Sequence, residues 1–209
     1  MIQTLRQLGH RRLLLSSIAF VCASISILAL LLHAAGWLPM YFMIDLLGMP
    51  SIVLLLALGV YARRINESIF LNRLAVGVWA GLVSTFAYDG IRYVLWQTNV
   101  FSFNPFISHP IFGTLITGLP ETTTAAIMIG WAYHFWNGIG FGIMYTLVAG
   151  PAHWRYAILW ALFLEVGWLT ALPSVLEFRL NTELVALSLI GHGAYGIGLG
   201  LLSQRFIRE

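Results

Sequence analysis

The chain has 209 residues, of which 59% are hydrophobic and 9% charged, with a formal net charge of +3 and a mean hydropathy of +0.85. Soluble domains carry roughly 25% charged residues, so this chain lacks the polar surface that water would require, and lipid is its natural solvent. All 11 basic residues are arginine, which excludes a retinal or pyridoxal Schiff base on a lysine amine. The single cysteine, Cys22, excludes a disulfide framework within one chain. The arginines stand in short scattered clusters, as membrane flanks do, so nucleic-acid binding gains no support.

Six apolar runs have the length of a bilayer crossing, roughly 20 residues. The first extends from about Leu13 to Ala35 behind His10, Arg11 and Arg12. It is longer than a signal-peptide core, and Cys22-Ala23-Ser24 is a poor cleavage site, so a retained first helix is expected. The second extends from about Tyr41 to Ala62 and stops at Arg63-Arg64. The third extends from about Leu74 to Trp96. Asn104 to Pro120 is apolar but short and interrupted by Pro105, Pro110 and Pro120, which predicts a re-entrant or interfacial hairpin rather than a span. The fourth run covers about Thr123 to Ala149, the fifth Tyr156 to Val175 and the sixth Leu184 to Leu202. The expected fold is an all-α polytopic transmembrane bundle of about six spans, forming a single integral membrane domain over residues 1–209.

Charge orients this bundle. With six spans, Arg6, Arg11, Arg12, Arg63, Arg64, Arg73, Arg155, Arg205 and Arg208 collect on one side, and Arg179 and Arg92 on the other. The side with nine is expected to be cytoplasmic and to carry both termini, in a bacterial inner (plasma) membrane. A seventh crossing through 104–120 would scatter these charges.

Four ionisable side chains stand out within the apolar runs: Asp89, His134, Glu165 and His192. Each costs a few kcal/mol in hydrocarbon and therefore needs a partner. At about 1.5 Å of rise per residue, His134, Glu165 and His192 all lie about 12–17 Å from a boundary, near the midplane. Asp89 sits in the outer half of the third helix, and Arg92 can pair with it at i,i+3. A shared string, H-x-x-x-G-I-G-x-G, runs over His134–Gly142 and again over His192–Gly200. The glycines four residues after each histidine admit a partner helix or a flat ligand, and close helix packing is the simpler use. Asn137 and Tyr195 occupy the matching i+3 positions and can hydrogen-bond beside the imidazoles. His109 and Glu121 bracket the broken segment, as entrance residues or as ordinary boundary polarity.

An unpaired carboxylate at mid-depth is either protonated or matched to a cation, and the two imidazoles at the depth of Glu165 are the obvious match. His134, His192 and Glu165 form a candidate divalent-metal shell with an open position. Without metal, Glu165 with His134 forms a candidate acid–base pair, and Asp89, the other candidate catalytic residue, orients a histidine or completes the shell. The leading expectation is a membrane-embedded enzyme acting on a lipid-like or other apolar substrate. A haem- or pigment-binding subunit of a membrane complex explains the histidines but not Glu165. A proton- or cation-coupled transporter is a further alternative, as is a scaffold subunit whose polar residues only hold helices together. No HExxH, nucleotide-binding glycine loop or GxSxG elbow occurs.

Overall fold

The structure, a computed structural model, describes residues 2–176 and 181–209. Arg179, one of the two arginines expected on the outer side, lies outside the described residues. Seven helices follow one another among those described: α1 (Ile2–Ala34), α2 (Met40–Arg64), α3 (Ser68–Gln97), α4 (Ser108–Thr117), α5 (Thr124–Ala149), α6 (Arg155–Leu176) and α7 (Thr182–Phe206). Four are long and apolar enough to cross a membrane: α1 over Gly9–Ala34, α2, α3 and α7. The 26-residue α5 and 22-residue α6 are comparable in length.

Local sequence explains the irregularities. Pro50 has no N–H to offer the preceding turn, and α2 widens into a π-helical turn at Ile44–Gly48 just before it. The bare backbone at Gly48 receives Trp136 of α5. Pro110 stands in the first turn of α4, where a missing N–H leaves no helical bond unmade. Gly118 ends α4 in the left-handed conformation with φ 71°. At ten residues α4 rises about 15 Å, half of a hydrocarbon core of about 30 Å, so it is too short to cross.

The bundle is organised around α3, which lies between α5 and α7. Glycine permits the tightest crossing. Gly77 and Gly81 of α3 meet Gly138 and Gly142 of α5 so closely that a Cβ on Gly142 would stand 2.4 Å from the Gly77 carbonyl oxygen. α4 packs against α5 just as closely through Gly113 and Gly130. Around these contacts the apolar core forms layers, including Phe70, Leu74 and Ile143 near one end and Phe112, Tyr133 and Leu184 near the other.

One end of the bundle gathers the polar termini. Arg12 bonds Glu67 at 3.4 Å, Arg73 pairs with Glu209 and donates to the Leu147 carbonyl, and the Trp154 amide donates to Gln204. Asn72 reaches the last turn of α7 through the Phe206 carbonyl and the Arg208 amide. The start of α1 and the end of α7 therefore share one end. At the opposite end, Ser102 donates to Glu183 at the start of α7.

Candidate functional site

The four ionisable residues sit as deep in their helices as their spacing predicts. Asp89 is eight residues before the end of α3, about 12 Å. His134, Glu165 and His192 are each ten residues after the start of their helices, about 15 Å. All but Glu165 are measured from the α4 end of the bundle. The four do not gather into one cluster, however. They form two histidine–carboxylate pairs.

In the first pair, His134 Nε2 lies 2.9 Å from Asp89 Oδ2. Arg92, one turn on from Asp89, donates to Oδ1 at 3.4 Å, the i,i+3 pairing that the sequence anticipates. The guanidinium also donates to the Pro105 carbonyl and lies 4.3 Å from the centre of the Tyr88 ring. It thereby ties the loop before α4 to α3. That loop and α4 deliver a third member, His109, whose ring meets His134 edge-to-face at 4.4 Å and stacks on Trp131 at 4.1 Å. Ligand atoms of Asp89, His109 and His134 all lie within 4.8 Å of one another, the only such group of three among the described residues.

His109 is 1% exposed. Its Nδ1 donates to the Phe106 carbonyl at 3.0 Å, which fixes the tautomer and leaves the Nε2 lone pair free. Nε2 has no hydrogen-bond partner. Burial, followed by the nearby His134, pushes the His109 pKa far down and keeps the ring neutral. The sequence alone offers His109 as an entrance residue or as boundary polarity and does not place it beside Asp89. The signal that marks it is the pair of glycines facing each other across α4 and α5. A Cβ on Gly130 would stand 1.8 Å from the His109 carbonyl oxygen, so only glycine lets α4 come close enough to bring His109 to Asp89.

In the second pair, His192 Nδ1 is 2.6 Å from Glu165 Oε2. Ser188, one turn earlier on α7, donates to the same oxygen at 2.8 Å. Glu165 is 1% exposed, and its Oε1 has no partner. With Nδ1 held by the carboxylate, Nε2 is the nitrogen of His192 left for other chemistry. The Tyr88 ring lies between the two pairs, 5.8 Å from His134 and 5.0 Å from His192.

The histidine of each pair lines one cavity of about 100 Å³. Tyr88, Arg92, His109, His134 and His192 contribute polar groups to its lining, and Leu30, Phe112, Phe141, Leu164 and Trp168 apolar ones. Asn137 also lines it, with Oδ1 buried and unpartnered. Tyr195 turns its hydroxyl away from the imidazoles and donates to the Gly138 carbonyl at 2.7 Å, joining α7 to α5. The glycines four residues after each histidine are filled by helices rather than a flat ligand. Gly138 receives Thr85 of α3, and Gly196 receives Ala157 and Ile158 of α6. Comparison with protein-family models, with curated proteins and with solved structures finds no match for this chain.

Proposed function

We propose that this chain is a six-span inner-membrane enzyme, with both termini cytoplasmic, that performs acid–base or metal-assisted chemistry on a lipid-like substrate. The observation that carries the reading is that the histidines of two histidine–carboxylate pairs line one cavity whose remaining lining is largely apolar. Substrate pockets combine an apolar lining with a few convergent polar groups in this way. Packing alone does not call for two buried carboxylates with histidine partners, since each costs desolvation that an apolar pair avoids. The lengths of α5 and α6 support the six crossings. Nine arginines near the shared end support its cytoplasmic placement.

In this reading, Glu165 orients His192 through Nδ1 and leaves Nε2 to take or return a proton at the substrate. Asp89 and His134 act from the other side of Tyr88, and the apolar part of the lining holds an acyl or isoprenoid chain. The test is lipid mass spectrometry on membranes that contain the wild-type chain or its Asp89→Asn variant, incubated with a total lipid extract. A product that requires the wild-type chain and is lost in the variant supports the reading. Identical lipid profiles with and without the chain rule it out.

A proton-coupled transporter is the second reading, favoured by the Tyr88 ring between the two imidazoles. Proteoliposomes loaded with a pH-sensitive dye distinguish it, because a transporter moves protons without any lipid conversion.

A further inference from the structure

We propose that Asp89, His109 and His134 bind one divalent transition-metal ion of the zinc class, with at least one coordination position open to the cavity. The inference rests on reading this cavity as the working centre of the protein. It replaces the His134–Glu165–His192 shell with a set built around a helix that does not cross the membrane.

Three observations carry it. The donor set is two imidazoles and a carboxylate, the combination that borderline divalent ions take with an open position. Its ligand atoms already lie within 4.8 Å of one another. Ligands about 2.0–2.2 Å from a common ion stand roughly 3 Å apart, and the Asp89–His134 distance of 2.9 Å is of that size. Finally, His109 carries a free Nε2 in a position nine-tenths and more buried, where an unpartnered nitrogen costs free energy. Its other nitrogen donates to the Phe106 carbonyl, the outer-shell bond by which metal-bound histidines are held in orientation. Arg92 occupies Asp89 Oδ1, so Oδ2, on the side of His134, is the oxygen offered to the ion.

The remaining histidine pair does not compete for the ion. Glu165 Oε2 is engaged by His192 and Ser188, and His192 presents one free nitrogen without a second ligand beside it.

The experiment titrates metal-free protein in mild detergent with Co(II) alone. It reads the visible absorption of the bound ion and the metal content after gel filtration. Wild-type protein is expected to bind one equivalent, with an X-ray absorption spectrum fitted by two imidazoles and oxygen. His109→Gln is expected to weaken binding by more than about 100-fold, beyond the 10–100-fold that outer-shell changes cause. His192→Gln is expected to bind as the wild type does. Because Trp131 stacks on His109, its replacement can disturb folding. Asp89→Asn therefore serves as a second ligand variant, and the absorption spectrum of the wild type stands independently of either.

No stoichiometric uptake by wild-type protein overturns the proposal. So does a spectrum requiring three imidazoles, or equal loss of binding in His109→Gln and His192→Gln. Metal content is read without turnover. A chain that binds Co(II) but converts no lipid therefore keeps the metal site and loses the enzyme reading, and a chain that converts lipid without metal does the reverse.

Discussion

Replacing Gly130 by alanine tests how α4 brings His109 to the other two residues. The new Cβ would lie 1.8 Å from the His109 carbonyl oxygen, 2.6 Å from its carbon and 3.1 Å from the Gly113 amide nitrogen. These are backbone atoms, so no side chain can rotate aside. Ordinary contact begins near 3.4 Å, and α4 must retreat by about 1.6 Å to reach it. Overpacking of this kind costs about 1–3 kcal/mol, and the retreat carries His109 away from Asp89 and His134. The control is Gly90→Ala on the exposed face of α3, beside Asp89, where a Cβ meets nothing within 4 Å. Alanine there changes only helix propensity, a gain of up to about 1 kcal/mol. The assay is the thermal midpoint of each variant in mild detergent, together with Co(II) uptake. Gly130→Ala should unfold at lower temperature and bind Co(II) more weakly, while Gly90→Ala should match or exceed the wild type in both. Equal behaviour of the two variants would refute the close approach of α4 and α5.

Other perturbations separate structure from chemistry. Tyr195→Phe removes the hydroxyl that donates to the Gly138 carbonyl. It should cost about 0.5–1.5 kcal/mol of stability in a denaturation midpoint and leave lipid conversion in place. Glu165→Gln keeps the shape and the hydrogen-bonding capacity toward Ser188 but removes the ionisable acid. Lipid conversion should fall at least tenfold while circular dichroism and elution volume stay unchanged, and full activity removes Glu165 from the mechanism. Reporter fusions after Gly150 should read cytoplasmic and those at Asn181 external, and the reverse result inverts the orientation.

The apolar runs were legible because hydropathy records burial in lipid directly. The fourth run, Thr123 to Ala149, differs from α5 by one residue. The third began at Leu74, whereas α3 begins at Ser68, because Asn72 and Arg73 continue the helix beyond its apolar part. Depth was legible as well, since rise per residue is fixed. The Asp89–Arg92 pair followed from helical spacing alone. What depth does not supply is the rotation of each helix about its axis, which depends on the faces that pack. Glycine contacts between α3 and α5 turn His134 toward Asp89, and contacts between α6 and α7 turn His192 toward Glu165. Two residues at one depth therefore took different partners. His109 was hidden for a related reason. Its place depends on a fold-back between α4 and α5, and the prolines that mark the segment as broken carry no information about where it docks.

The most direct test of the converged centre is a proximity measurement between its two histidines in native membranes. His109→Cys and His134→Cys are introduced together in a Cys22→Ala background, so that no other thiol is present. The membranes are treated with dibromobimane, which fluoresces when both arms have reacted, and bridged and singly alkylated peptides are counted by mass spectrometry. With the two native rings 4.4 Å apart, a bridged 109–134 peptide is the expected product. Alkylation of both cysteines without a bridge would contradict the convergence of α4 and α5 at this site, and with it the Asp89–His109–His134 centre.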